Sequence, residues 1–322
     1  MHGIDEVHVV TLPLAVPFRG VRHREAALLR GPAGWGEFAP FLEYDDAESA
    51  RWLAAALEAA TLGWPAPVRG SVPVNATVPA VPAAEVASVL ARFPGCTTAK
   101  VKVAQAGQSL ADDVARVAAV RDVLGPSGRI RVDANAGWTL EQARRALDEL
   151  APYGLEYAEQ PCASLADLAA LRGRGVLIAA DESVRKAEDP LRVAREGAAD
   201  LLVVKVAPLG GVGAALAVAR ECGLPVVVSS ALDTSVGISA GVALAAALPD
   251  LPYACGLATT SLMAADVVPR SLDGRGGSLP VGAVVPDPAL LAELAAPPDR
   301  QRWWRERLVR CADLLEAARL VE

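Results

Sequence analysis

From about residue 72 the sequence alternates short, apolar, β-rich runs with longer helix-like runs, and it does so eight times. The strand candidates are SVPVNATV, TAKVKV, RIRVDAN, LEYAEQP, VLIAADES, LLVVKVAP, PVVVSSAL and YACGLATTS. Most are near-continuous apolar runs, as parallel strands covered on both faces require. The segments between them, such as LADDVARVAAVRDVL and LEQARRALDEL, carry helical spacing. Eight βα units predict a (β/α)8-type barrel over residues 72–284. Polar residues stand at the C-terminal ends of the runs: Lys102, Asp133, Glu159, Asp181, Lys205 and Ser229, separated by 31, 26, 22, 24 and 24 residues. Each gap is one βα unit, so a barrel brings all six to its C-terminal mouth, where barrel enzymes place their chemistry. The competing fold is a doubly wound open sheet. Against it, no GxGxxG follows the first strand and nothing breaks the run into two halves.

Residues 1–71 read differently. Alternating strand patterns (VHVVTLPLAV, REAALLR), the turn GPAGWGEFAP and a helix from about Asp46 to Leu62 predict an α+β capping domain. After the eighth run a Pro- and Gly-rich stretch leads into residues 285–322, whose helix carries Trp303, Trp304 and Leu308. An isolated helix with paired tryptophans exposes a large apolar patch, so this tail is predicted to return to the N-terminal domain.

With 322 residues, 52% of them hydrophobic, the chain buries a substantial core. A net charge of -7 argues against a nucleic-acid groove or an anionic membrane surface and leaves small molecules as the expected partners. MHGIDEVHVV places acids where a signal peptide has basic residues, and no uncharged apolar run reaches spanning length, so a cytoplasmic protein is expected. The five cysteines form no CxxC pair, which suggests neither a zinc site nor a disulfide framework. His2, His8 and His23 all precede residue 24, so acid–base work in the barrel falls to lysine or carboxylate. Oligomeric state is not legible.

Of 31 basic residues only four are lysines, and Lys100, Lys102 and Lys205 sit inside valine-rich strand runs. Arginine stays protonated, whereas a buried lysine can be tuned to exchange a proton near neutral pH. Strand alternation puts Lys100 and Lys102 on one interior face, where each is expected to depress the other's pKa. Lys205 falls about half-way round the barrel and faces them, while Lys186 reads as a rim lysine. Asp133, Glu159 and Asp181 point into the same mouth. Three carboxylates cannot share a pocket unpaired, and a hard divalent cation, Mg2+ with Mn2+ as a substitute, resolves their repulsion. Taken singly, each acid reads more readily as a helix N-cap or a rim ion pair; three in consecutive units do not. Asn135 shares the face of Asp133 and either orients the ligands or a lysine, or is an ordinary strand-end turn residue. By the same alternation Glu182 points away from Asp181.

Together these residues resemble the enolase superfamily, and within it the muconate-lactonizing-enzyme-like subgroup. The shared pattern is KxK on the second barrel strand, acids ending the third, fourth and fifth, and a lysine on the sixth. The resemblance covers nearly the whole chain, including GWGEFAP and the C-terminal return. It implies that Lys102 abstracts the proton α to a metal-bound carboxylate with Lys100 tuning it. It further implies that Asp133, Glu159 and Asp181 hold Mg2+, and that Lys205 stabilises the enediolate from the opposite face. The absence of barrel histidines separates the chain from mandelate-racemase-like relatives, and CGLATTS lacks the DxD of dipeptide epimerases.

DES, Ser229 and Ser230 of SSALDTSVG, and Gly256 of CGL are most similar to the o-succinylbenzoate synthase branch of menaquinone biosynthesis, in which a cyclohexadiene carboxylate loses water. N-succinylamino acid racemases and muconate-type cycloisomerases share the same enolate chemistry, and a non-catalytic barrel scaffold is the remaining alternative. The chain departs from the branch at Asp233-Thr234-Ser235, where a glutamate is expected. Arg19, Arg22 and Arg24 fall where the family's capping loop closes over the site. The resemblance implies that they meet the succinyl carboxylate; otherwise they are solvated loop arginines.

Overall fold

The computed structural model describes residues 3–18, 20–185 and 189–319. The chain opens with an antiparallel meander of β1 (Glu6–Phe18), β2 (Val21–Gly31) and β3 (Gly34–Phe38), in register from Glu6 opposite Arg30 to Pro13 opposite His23. The helix Asp46–Thr61 covers this sheet. Its N-terminus is capped by the Asp45 side chain, which accepts from the Glu48 N–H at 2.8 Å, and it buries Trp52, Leu53 and Ala56. The two elements touch at backbone level, since a Cβ on Gly36 would lie 2.0 Å from the Ala56 carbonyl oxygen. The helix Pro298–Arg319 packs against the same unit. There Trp304 is fully buried, edge-on to Phe38 with centroids 5.7 Å apart, and its Nε1 donates to Glu25 at 2.7 Å.

Two short strands, β4 (Ser71–Pro73) and β5 (Ala76–Val78), are followed by β6 (Thr98–Lys102), β7 (Arg129–Asp133), β8 (Leu155–Glu159) and β9 (Leu177–Ala180), then β10 (Leu201–Val204), β11 (Val226–Val228) and β12 (Ser278–Pro280). β5 to β11 form one parallel sheet in sequence order. The outward residues Val101, Ile130, Val132, Ile178, Leu202 and Val204 join the large core with the surrounding helices, whereas Tyr157, Ala179, Leu201, Val203 and Val227 form a smaller cluster inside the curl. In β9, β10 and β11 both faces are apolar, which is why those runs look continuous, whereas β6 and β7 alternate, with Lys100, Lys102, Arg131 and Asp133 on the inner face. Arg131 shares the inner face with Asp133 and fills the floor. Its guanidinium lies 4.8 Å from the Tyr157 ring centroid and donates to Asn75 at 3.0 Å.

Two expectations about the strands need correction. SVPVNATV is not one strand: Pro73, which has no N–H, ends β4, which pairs antiparallel with β12 outside the barrel. The eighth run is not a full strand either. It reaches the ladder only through isolated parallel bridges, Cys255 to Val74 and Gly256 to Ser229, before turning into the 3-10 turn Thr259–Leu262. Those bridges still close the ring: Cys255 N donates to Pro73 O at 2.7 Å on one side and Gly256 N to Val228 O at 2.8 Å on the other.

Candidate active site

Register places the chemistry. Lys102 pairs with Asp133 and Asp133 with Glu159 across adjacent strands, while Asp181, Lys205 and Ser229 each follow the last residue of their strand. Lys100, Lys102 and Lys205 are all less than a tenth exposed, and the three acids are almost completely buried. Lys100 Nζ donates to Asp133 at 2.9 Å and to Glu159 at 2.7 Å. Lys102 Nζ donates to the same Asp133 oxygen and to Asn135 Oδ1 at 2.8 Å. Four strands away round the sheet, Lys205 donates to Asp181 at 2.5 Å.

Above these residues lies a cavity of about 430 Å3. The barrel lines it with Lys100, Lys102, Asn135, Lys205, Ser229, Ser230 and Gly256, and the N-terminal unit roofs it with Phe18, Phe41, Tyr44 and Trp52. Gly256 allows a close wall contact, because a Cβ there would come within 2.6 Å of Ser229 Oγ. Ser230 Oγ donates to the Gly256 carbonyl at 2.9 Å. Among the described residues no helix is long and apolar enough to cross a membrane.

The two lysines of the KxK pair differ in basicity. Burial, aided by the charge of Lys100, lowers the pKa of Lys102 against the pull of Asp133. Burial also opposes protonation of Lys100, but Asp133 and Glu159 together outweigh it and hold Lys100 well above the usual lysine range. The expected mutual depression is therefore one-sided, because Lys100 has two carboxylate partners and Lys102 has one. Burial works against ionisation of Asp133, yet Lys100 and Lys102 bring it well below the ordinary carboxylate value. Burial and the charge of Asp133 push Glu159 up to about 8.

Several other expectations change. Glu182 does not point away from the site: the strand ends at Ala180, a helical turn begins at Glu182, and its carboxylate lines the cavity and accepts from Asn135 Nδ2 at 3.1 Å. Asn135, at φ +46°, turns back into the mouth beyond the end of β7. Arg24 neither meets the cavity nor faces solvent. It is buried, donates to the Leu232 carbonyl at 3.2 Å and to the Ala39 carbonyl, and stacks 4.4 Å from the Phe41 centroid. Arg22 is exposed and does not line the cavity. Arg19 and Lys186 lie outside the described residues.

Sequence reasoning missed Arg185, which donates to Asp181 at 3.1 Å, to Glu182 at 2.7 Å and to Tyr44 of the roof at 3.1 Å. Its i,i+4 spacing from Asp181 was the available signal. Gln160 was missed as well; it bonds the N–H groups of Asp181 and Ser183 and has no such signal.

Among the described residues no three histidine, cysteine or carboxylate side chains surround a common point, and lysine ammonium groups lie against Asp133, Glu159 and Asp181. The donor set nonetheless fits a hard divalent cation: three buried carboxylates at the ends of consecutive strands, with Glu159 Oε2 accepting no hydrogen bond.

Residues 83–287 match the enolase C-terminal domain-like family and residues 9–60 the enolase N-terminal domain-like family. The chain is 60% identical to the o-succinylbenzoate synthase of Thermobifida fusca (strain YX), over 92% of this chain and 93% of that protein. It is 57% identical to the o-succinylbenzoate synthase of Mycobacterium leprae (strain TN), over 97% and 93%. Its fold is similar to that of the muconate lactonizing enzyme from Pseudomonas putida, with a TM-score of 0.76 at 22% identity over 91% of this chain and 99% of that one.

Proposed function

The chain belongs to the enolase superfamily, and on that premise we propose that it catalyses the reaction of its o-succinylbenzoate synthase relatives. The reaction is the syn elimination of water from 2-succinyl-6-hydroxy-2,4-cyclohexadiene-1-carboxylate, a carbon–oxygen lyase step. The observation that carries the proposal is the placement of Lys102 and Lys205 on opposite walls of one cavity, each donating to a buried carboxylate, Asp133 and Asp181, that does not itself line the cavity. Lys102 Nζ removes the proton α to the substrate carboxylate and returns it to the departing hydroxyl on the same face, so one group serves as base and then as acid. Lys100 stays protonated between Asp133 and Glu159, and burial, with that charge, lowers the proton affinity of Lys102. Lys205, held by Asp181, presents its charge from the other wall to the negative charge that develops on the carboxylate. Asn135 fixes Lys102 Nζ, and Phe18, Phe41 and Trp52 keep water from the reacting face.

Enolase superfamily enzymes use a divalent metal ion. Here Asp133, Glu159 and Asp181 would hold it, Mg2+ with Mn2+ as a substitute, and when bound it neutralises the substrate carboxylate and makes the α-proton more acidic. Residues 1–71 and 285–322 serve as the cap and residues 72–284 as the catalytic barrel, in a cytoplasmic enzyme acting on a small-molecule carboxylate. Two facing lysines are also the arrangement for 1,1-proton transfer, so racemisation of N-succinylamino acids is the second reading.

Ultraviolet absorbance of the cyclohexadiene substrate, followed with purified protein with and without Mg2+, tests the first reading. Metal-dependent loss of the diene signal is the expected result. No loss with folded, metal-loaded protein, together with racemisation of an N-succinylamino acid followed by optical rotation, transfers the assignment to the second.

A further inference from the structure

We infer that Gln160 is a positioning residue that sets the spacing of Asp133, Glu159 and Asp181 around the divalent cation; the inference rests on the metal reading above. Gln160 is fully buried and does not line the cavity, so it does not act by touching substrate. It follows Glu159 directly at the end of β8, with φ at +38°, a conformation that a residue with a side chain keeps only when its surroundings hold it there.

The surroundings do so through three consecutive turns. The Gln160 carbonyl accepts from Ala136 N at 2.7 Å, in the turn that follows Asp133. Its side-chain Oε1 accepts from Asp181 N at 2.9 Å and from Ser183 N at 3.2 Å, in the turn that follows β9. Its Nε2 donates to Cys162 O at 2.9 Å and to Ser183 Oγ at 2.8 Å. One residue thus ties together the ends of β7, β8 and β9, the strands whose ends carry the three acids.

The amide is the chemical group this position requires. It accepts two N–H bonds and donates two of its own, which satisfies its hydrogen-bonding capacity in a buried setting. A carboxylate of the same shape accepts but cannot donate, would face the Cys162 carbonyl with an oxygen, and would add a fourth buried negative charge beside Glu159 and Asp181. A methionine of similar length does neither and leaves the N–H groups of Asp181 and Ser183 without their acceptor. Either replacement lets the Asp181 turn move relative to Glu159, and with it Glu182 and Arg185 of the cavity wall.

The test is Mn2+ titration of the full chain followed by electron paramagnetic resonance, for wild type, Gln160→Glu, Gln160→Met and, as a control, Asp181→Ala. Loss of a group that orients metal ligands weakens binding by about 10- to 100-fold, and this is expected for both Gln160 variants at an unchanged far-ultraviolet circular dichroism spectrum, together with an altered bound-Mn2+ line shape. A purely structural role would lower the unfolding temperature and move neither the affinity nor the line shape. If Asp181→Ala weakens binding while folded Gln160→Glu and Gln160→Met bind as wild type does, the role of Gln160 is overturned and the metal reading stands. If Asp181→Ala also leaves binding unchanged, the metal reading itself fails and the inference falls with it. Should both Gln160 variants fail to fold, Ser183→Ala decides: it removes the hydroxyl partner of Nε2, a smaller loss of affinity is expected, and wild-type binding overturns the proposal.

Discussion

The carboxylate of Glu37, on β3 of the cap, accepts a hydrogen bond from the backbone N–H of Thr234 at 3.1 Å, at the start of the barrel helix Ser235–Ala247. It accepts two more, from Gly237 N at 2.9 Å and from the Thr234 hydroxyl. A barrel helix is therefore capped by a residue nearly 200 positions away, whose carboxyl group takes up N–H groups of the helix's first turn. The loop leading into the helix carries Ser229, Ser230 and Leu232 of the cavity wall, and Leu232 is held at φ +62° while its carbonyl accepts from Arg24. Contacts between cap and barrel thus shape one side of the substrate cavity.

This junction titrates. Burial, then the neighbouring Asp233, pushes Glu37 up to about 8, against the opposing hydrogen bonds from Thr234 and Gly237. An acid whose pKa is raised on folding binds a proton that the unfolded chain has already released, so stability falls as pH rises from the ordinary carboxylate value through the folded one. The unfolding temperature of the wild type is expected to drop between about pH 5 and about pH 9, and Glu37→Gln, which resembles the protonated acid, is expected to flatten that drop. Thermal melts followed by circular dichroism check it; an equally steep fall in the variant assigns the titration to another group.

Lys102→Ala and Lys205→Ala are each expected to cut turnover by about 10²- to 10⁴-fold, the range for removal of a general acid–base group, with the fold retained. Retention follows from the ion pairs: Asp133 keeps Lys100 when Lys102 is lost, and Asp181 keeps Arg185 when Lys205 is lost. Lys100→Ala is different, because it strips Glu159 of the one cation with which it is paired among the described residues, and it is expected to lower stability as well as rate. Steady-state kinetics alongside melts separate the cases; near-wild-type turnover in Lys102→Ala would remove that residue from the mechanism.

What the sequence made legible, and what it hid, follows from where strands stop. Lys100, Lys102, Asp133 and Glu159 lie within regular strands, so period-2 alternation placed them correctly on the inner face. Glu182 lies beyond the end of β9, where the backbone has already turned helical, and the same alternation pointed it the wrong way. Asn135 and Gln160 stand at positive φ just past their strands, and nothing in their spacing reveals the turn. The eighth run has the composition of a strand but ends in two bridges because a 3-10 turn follows so closely. Glu37 and Arg24 find their partners about 200 residues away, and no local pattern encodes such a pairing.

Gly36 in GWGEFAP was legible as part of a turn motif, and the structure supplies the reason for the glycine. With a Cβ only 2.0 Å from the Ala56 carbonyl oxygen, Gly36→Ala must push the helix Asp46–Thr61 away from β3. Such overpacking costs about 1–3 kcal/mol. Because Trp52 and Tyr44, on and beside that helix, line the cavity, KM is expected to rise together with the loss in stability. Urea unfolding and steady-state kinetics on the same preparation check both; unchanged stability would mean that the two backbones are further apart than the structure places them.

Arg22 and Arg24 of β2 separate a structural role from a binding role. Arg24 is buried with its donors spent on the carbonyls of Ala39 and Leu232 and its charge beside Asp233 and Glu37. Arg24→Ala leaves the buried carbonyls of Ala39 and Leu232 without their donor, and each buried acceptor left unpaired costs roughly 1–3 kcal/mol. Arg22, two residues earlier and near the end of the strand, is exposed, and is expected to tolerate alanine with no change in stability or KM. Arg24→Lys keeps the charge but not the fork that reaches two carbonyls, so its stability should fall between wild type and Arg24→Ala. Urea unfolding of the three variants, with KM for the diene substrate measured alongside, distinguishes the roles. A raised KM in Arg22→Ala at unchanged stability would mean that the exposed arginine reaches substrate when the site is filled.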